Sequence, residues 1–475
     1  MQLTLARGAR CADGGCCPLP RALPVALARR AGAAQPRLLN ENGDASGSRS
    51  ERIAPAPSPA RSGGEGWGEG KPPWLPLAGA LLLSLLAIPA HATSEGASRI
   101  TFFHEPSSSN DGITVIHPQL DVSAALGPSF DISAGYAVDI VSGATPQVFG
   151  PHTGVDAVSA ATKFSDTRQE VKGGLAYTRP SAALSAGYSY GWESDYRSHT
   201  VSASTRTDLL DHNVTVALGY THNFDSVCDN NNAAAAGQPL DYKPLASSAH
   251  CFHADMPDVV AHRLHIDTVE PSLTWTATPR LVAQLGATAQ ILDGFQSNPY
   301  RSVLIGRNHN TPQESLPTFR QRYAVWARGA YFFPGARLSL TAMARAYRDT
   351  WDVEAATGEI ALQKYLTSSF LIGGRARYHT QRGARFYRDG RGYLLSGVTG
   401  RYWTGDRELS PMSNQLYGGR FAYVARPQQE KSSWYSEIEV AMKGEALLYH
   451  LDSPDAPNAD RSSALLLQAA VAVRF

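Results

Sequence analysis

Gly187-Tyr188-Ser189-Tyr190-Gly191 reproduces the G-x-S-x-G spacing of serine hydrolases. That serine works only when a sharp strand-to-helix elbow lifts it clear of the fold. Here the pentapeptide sits inside an alternating apolar run, so it reads as a chance match. His250, His253, His262 and His265, with Asp255 and Asp258, offer nitrogen and oxygen ligands to a metal, but their spacing matches no closed ligand set. Asp225, Asp229 and Asn230 to Asn232 resemble part of a calcium loop that lacks its glycine and terminal acid. His104, His117, His199 and His222 fall near the ends of apolar runs, where a rim enzyme would pair imidazole with serine or an acid. The glycine-rich segment 64–70, GEGWGEG, lacks the strand before and the helix after that a phosphate-binding turn needs. No catalytic residue, no metal site and no cofactor is therefore expected. Among the 5 cysteines no CxxC pair occurs. Cys228 and Cys251 share one loop and are expected to form a disulfide in an oxidising compartment.

The chain that must position these residues has 475 of them, 43% hydrophobic and 18% charged, with 43 Lys+Arg against 42 Asp+Glu. So little net field disfavours a nucleic-acid partner. A mean hydropathy of −0.25 excludes a helical membrane protein. A large globular chain or a membrane β-barrel, whose hydropathy is deceptively ordinary, remains.

Residues 1–70 are rich in Ala, Pro, Gly and Arg without period, and read as a disordered leader. Lys71 then precedes an apolar run from Leu77 to Ile88, and Ala90-His91-Ala92 supplies a small-residue cleavage site. Residues 71–92 are thus expected to be a secretory signal peptide, cleaved between Ala92 and Thr93. Its position, with no Met between Met1 and Met256, suggests a true start near Lys71 and a mis-assigned leader.

From residue 97 the apolar pattern has period 2, as a half-buried strand requires. Phe130, Ile132, Ala134, Tyr136 and Val138 oppose Asp131, Ser133, Gly135 and Asp139. The second face is small and polar, unlike a sandwich core. About sixteen such runs occur, near 97–104, 113–126, 129–141, 167–178, 182–195, 197–207, 213–225, 263–277, 281–293, 321–333, 337–349, 366–380, 392–404, 415–426, 434–449 and 464–475. Every second connection is short (127–128, 179–181, 208–212, 278–280, 334–336), while 142–166, 226–262 and 294–320 are long. Short periplasmic turns and long outer loops are the rule for outer-membrane barrels. The reading is an all-β fold: a transmembrane antiparallel up-and-down β-barrel of about 16 strands over residues 93–475. Aromatics gather near strand ends, among them Tyr188, Trp192, Tyr220, Phe224, Tyr331, Phe333, Trp434 and Tyr449, suited to the headgroup level. The last run ends in Phe475, which resembles the signal read by barrel-insertion machinery.

Strand parity then assigns charges to the lumen. Arg322, Arg328, Arg345, Arg375, Arg377, Arg401 and Arg420 are expected to point inward as a basic wall, and Glu437, Glu439 and Glu445 inward from the next strand. In the first half the expected inward acids include Asp121, Asp131, Asp139, Glu170, Glu193 and Asp267, with Lys172 and Arg263 as inward bases.

The segments DIVSGAT (Asp139 to Thr145), VDAVSAAT (Val155 to Thr162) with Arg168 and Glu170 following, and ESDYRSH (Glu193 to His199) resemble a bacterial family known as domain of unknown function 3570. That resemblance covers most of 98–475 and implies an exported outer-membrane barrel; it carries no catalytic residue over. The expected function is a passive channel or a structural component of an export-related system. A rim-active enzyme and a surface-binding protein using its long loops are the alternatives. The expected location is the bacterial outer membrane, with membrane lipid, the insertion machinery and small solutes as partners.

Overall fold

The computed structural model describes residues 94–106, 112–143, 164–193, 195–230, 252, 259–299, 303, 312–388, 393, 400–427, 434–451 and 461–475. The leader, the signal segment, the cleavage site at Ala92-Thr93 and Cys251 lie outside them. Alternation along the chain produces sixteen strands: β1 Ser94–Glu105, β2 Ile113–Leu126, β3 Phe130–Gly143, β4 Phe164–Arg179, β5 Ala182–Trp192, β6 Tyr196–Leu209, β7 Val214–Asn230 and β8 Val259–Thr278 form the first half. The second comprises β9 Leu281–Gly294, β10 Phe319–Phe333, β11 Leu338–Asp349, β12 Glu354–Tyr365, β13 Phe370–Gln381, β14 Met412–Ala425, β15 Glu437–Leu451 and β16 Arg461–Arg474. Each pairs antiparallel with its sequence neighbours, and β1 pairs with β16 from Glu95↔Arg474 to His104↔Leu465. The sheet is a closed barrel. Closure matters because an unpaired strand edge has no water to bond in hydrocarbon.

On β10, Tyr323, Val325, Tyr331 and Phe333 are exposed on the outer face, while Arg320, Ala324 and Arg328 alternate with them. Outward aromatics gather toward both ends of the strands. Phe130, Trp275, Phe333, Phe370, Tyr423 and Trp434 lie toward the short turns, and Tyr136, Tyr188, Tyr220, Tyr323 and Tyr417 toward the long loops. The second group faces polar surroundings: Tyr136 donates to Gln169 (2.8 Å), Tyr220 to Asp267 (2.6 Å) and Tyr417 to Gln415 (2.9 Å). Between Tyr323 and Phe333 the strand runs about 33 Å, which the tilt of such barrels turns into about 25 Å of height, the thickness of an outer-membrane apolar band. Phe475 packs on Trp434 at 5.8 Å between ring centroids, and its N–H donates to the Ser94 carbonyl (2.9 Å).

Two expectations are corrected. Residues 392–404 form no strand in their described part: Trp403 and Thr404 make isolated bridges to Ser315 and Tyr387. The missing strand is β12, EAATGEIALQKY, whose Ala, Glu, Gly and Lys are poor strand formers. It is held by full ladders to β11 and β13, so tertiary pairing overrides local preference. The count of sixteen survives because one error offsets the other. Tyr449 faces inward, its ring 4.9 Å from the Arg407 guanidinium.

Candidate functional site

Arg322, Arg328, Arg345, Arg375, Arg377 and Arg420 occupy inward positions of β10, β11, β13 and β14, alternating with lipid-facing residues such as Tyr323, Ala346, Tyr378 and Phe421. Arg401 does not: it is exposed in the connection between β13 and β14, 5.8 Å from the Tyr402 ring. Its inward expectation rests on a strand over 392–404, which the described residues of that segment do not form.

The wall is laced with carboxylates. Arg375 grips Glu445 with two hydrogen bonds, Nε to Oε1 at 2.5 Å and Nη2 to Oε2 at 2.9 Å. Its Nη1 lies 3.4 Å from Glu359 Oε2, and Lys443 Nζ is 3.2 Å from Glu445 Oε2. The side chains of Arg375, Glu445 and Glu359 are only 8%, 2% and 5% exposed. Glu359 belongs to the strand the sequence reading missed. Arg420 pairs with Glu439 (2.7 Å). Where the barrel closes, Arg474 of β16 lies between Glu437 (2.5 Å) and Glu95 (3.5 Å) in register. Glu437, Glu439 and Glu445 are thus partners of the arginines.

The Arg375–Glu445 pair reaches across an intervening strand because that strand carries glycine. Gly418 stands in register between Arg375 and Glu445, and a Cβ there would meet Glu445 Cγ at 2.5 Å and Oε1 at 2.9 Å. Gly135 does the same on the opposite wall, where Lys172 Nζ and Asp121 Oδ1 meet at 2.6 Å over a position whose Cβ would lie 2.2 Å from Lys172 Cε. Gly286 accepts the Trp326 ring, which a Cβ would meet at 2.3 Å. An inward glycine flanked in register by opposite charges was the sequence signal available for these contacts.

Arg322, Arg345 and Arg328 differ from the rest. Among the described residues they make no salt bridge; Arg322 donates to Gln290 (3.1 Å), and its register partner Asp349 is taken by Arg320. Arg345 sits opposite Trp326, between the levels of the other two. Three guanidinium groups therefore line about 20 Å of one inward stripe on β10 and β11.

In the first half, Asp121, Asp131, Asp139, Glu170 and Lys172 are inward as expected, and Arg168 and Arg206 are further inward bases. Glu193, just beyond β5, has inward parity. Asp267 and Arg263 are corrected: they share the outward face of β8 with Leu273 and Trp275. The cause is physical. Above the belt the interior is apolar, as Leu264 and Ile266 join Tyr196, Val227, Leu292 and Phe295 in a cluster, so apolar residues there mark the inside.

At the end of the barrel that carries the long connections, two of them are tied together. Ser315 and Trp403 exchange backbone hydrogen bonds (3.0 Å each), and Thr404 donates to buried Glu314 (2.7 Å). Gln313 reaches Asp229 on β7 (3.3 Å), while Arg407 reaches Glu105 on β1 (2.6 Å). Trp351, Val353, Ala384 and Leu409, with Leu316 against them, form an apolar core beneath. Arg320 and Asp349 brace it: Asp349 accepts from Arg320 Nε (2.9 Å), Tyr347 (2.8 Å) and the Trp351 and Val353 amides (2.9 and 3.0 Å). Burial alone would lower the Arg407 pKa, but Glu408 and Glu105 hold the guanidinium above its usual value.

Among the described residues the remaining candidates build no group of three metal ligands, although His262 Nε2 lies 3.8 Å from Asp229 and the His222 and His265 rings stand 5.8 Å apart. His262 and His265 point to opposite faces of β8; His250, His253, Asp255 and Asp258 lie outside the described residues. Asp225 accepts from Ser198 (2.6 Å) and Tyr196. Asp229 accepts from Gln313; the side chain of Asn230 and residues 231–232 lie outside the described residues. Ser189 sits mid-strand, in register with Lys172 and Thr200, and not on an elbow. His117 bonds Asp139 (2.5 Å), His104 Thr114 (3.0 Å), His199 Tyr188 (2.7 Å) and His222 Asp267 (2.7 Å). Cys228 is fully buried and disulfide-bonded.

Residues 83–421 match a family described as "Protein of unknown function (DUF3570)". The chain belongs to that family. A comparison of this DUF3570 member with curated proteins found no match. Among solved structures it is similar to a bacterial polysaccharide outer membrane secretin (10% identity, 82% of this chain and 100% of that one, TM-score 0.43). It is also similar to Pseudomonas putida OprB at high pH (9% identity, 85% and 97%, TM-score 0.40) and to Pseudomonas aeruginosa OccD3 (9%, 82% and 93%, TM-score 0.37). This DUF3570 chain is a closed sixteen-strand antiparallel β-barrel.

Proposed function

We propose that the protein is an outer-membrane channel for small anionic or zwitterionic solutes, inserted with Phe475 on the periplasmic side and its long connections outside. The observation that carries this reading is the stripe of Arg322, Arg345 and Arg328, inward-facing and without salt bridges among the described residues. Guanidinium groups stay protonated and, in a confined aqueous path, favour anions. The paired charges on the rest of the wall stiffen the lumen without adding net field, and the tied loops narrow the outer mouth. The experiment is conductance of the refolded protein in a planar bilayer under a salt gradient. The wild type is expected to be anion-selective, and Arg328→Ser with Arg345→Ser should move the reversal potential toward cations. A folded barrel that does not conduct, or a conducting double variant with unchanged reversal potential, overturns the reading.

A further inference from the structure

Outside the lumen, the upper rim of β6, β7 and β8 carries an unusual row. Arg197, Ser226 and Arg263 stand in register on three adjacent strands, all on the outward face shared with Val201, Tyr220 and Leu273. Both arginines are exposed. Strand spacing puts their Cα atoms about 10 Å apart, with the Ser226 hydroxyl between them. The next row down is His199, Phe224 and His265. The row below that contains Asp267, which is bonded to Tyr220 (2.6 Å) and His222 (2.7 Å) and so is already engaged. Asp293, another outward carboxylate among the described residues nearby, is in register with His265. Phe224, in the row directly beneath, is an exposed outward aromatic, while Tyr220 lies six residues, about 20 Å of strand, below Ser226, so the arginine row stands above the apolar belt.

We infer that this row is a binding site for the phosphate of an outer-leaflet lipid headgroup. The height is right: acyl chains reaching up against Val201 and Phe224, both exposed one or two rows beneath, bring an attached phosphate toward the level of the guanidinium groups. The chemistry is right as well, since two guanidinium forks and a hydroxyl supply charge-assisted donors to phosphate oxygens, and the imidazoles of His199 and His265 add donors at the lower edge. Surface arginines with nothing to bind would gain little from alignment in one row. The Arg197 guanidinium is oriented by the Phe252 ring 4.2 Å away. This site lies on the lipid side of the wall, so it goes beyond the channel reading and shares with it only the orientation in the membrane.

The test is native mass spectrometry of the refolded full barrel in detergent, titrated with diphosphorylated lipid A, with the same lipid stripped of phosphate, and with inorganic phosphate. The wild type is expected to retain the phosphorylated lipid at least about tenfold more tightly than the stripped one, the factor that one charge-assisted contact is worth. R197S/R263S should lose that preference. R348S, which removes an exposed outward arginine of β11, should keep it, and heat-dependent gel mobility certifies folding of each variant. Equal retention of the stripped lipid, or an undiminished preference in R197S/R263S, overturns the inference. Competition by inorganic phosphate at the lipid's own concentration also does so, since the site would then hold a free anion. A barrel that conducts but holds no lipid sinks only this inference; one that holds lipid but does not conduct sinks only the channel.

Discussion

Replacing Gly418 by Ala tests whether the glycine windows hold the lumen's ion pairs in place. The added Cβ would lie 2.5 Å from Glu445 Cγ, 2.9 Å from its Oε1 and 3.1 Å from the Gly444 carbonyl, so Glu445 must withdraw and release Arg375. Breaking a buried pair by removing one partner costs about 3–5 kcal/mol. Here Lys443 remains beside Glu445 and Glu359 beside Arg375, which offsets part of the loss, leaving about 2 kcal/mol. The assay is urea unfolding of the refolded barrel in detergent, followed by tryptophan fluorescence and by heat-dependent gel mobility. In a Glu445→Ala background the same glycine substitution has nothing to displace and should cost little, giving a coupling of about 1 kcal/mol or more. If Gly418→Ala leaves the midpoint unchanged, or if the two substitutions are additive, the pair does not depend on the window. Arg375→Ser, which leaves Glu445 and Glu359 buried without that partner, should destabilise by about 3–5 kcal/mol.

On the opposite wall, Gly135→Ala should likewise lower the unfolding midpoint by breaking the Lys172–Asp121 contact, and Lys172→Ala should remove most of that penalty in the double variant. Asp349→Ala deprives Arg320, Tyr347 and two amides of their acceptor; about 3 kcal/mol or more of stability is expected to go with it, read from the same urea curves. Arg407→Ala strands the fully buried Glu105 and unties 382–411 from β1, so limited proteolysis should cut that segment sooner than in the wild type, with the barrel strands intact. Alkylation and mass spectrometry of non-reduced protein should find Cys228 blocked, and Cys228→Ser should cost about 3 kcal/mol if the bond closes within the loop to Cys251.

Much of the fold is legible because both of its signals are local. Period-2 alternation along Phe130 to Val138 needs no knowledge of partners, and the contrast between short turns and long loops sets the parity of the chain. Together they placed Arg322, Arg328, Arg345, Arg375, Arg377 and Arg420 on the inside. β12 escaped because its apolar signal is carried by little more than Ile360 and Leu362 among Ala, Glu and Gly; only the ladders to β11 and β13 make it a strand. Asp267 and Arg263 were turned the wrong way because the rule that apolar means outward holds only within the hydrocarbon belt. At the outer rim Leu264 and Ile266 pack into a loop core while His265 and Asp267 meet headgroups and water.

The sequence by itself determined the barrel, its likeness to the DUF3570 family and the lumen face of β10, β11, β13 and β14, since side-chain direction follows from the two-residue repeat of the backbone. Only the tertiary structure decided which charges meet. Arg375 and Glu445 are 70 positions apart, and they touch because register across β13, β14 and β15 aligns them and Gly418 leaves the space between. Likewise only the closed fold joins Ser315 to Trp403 and Arg407 to Glu105, contacts between segments whose separation along the chain carries no information about their distance in space.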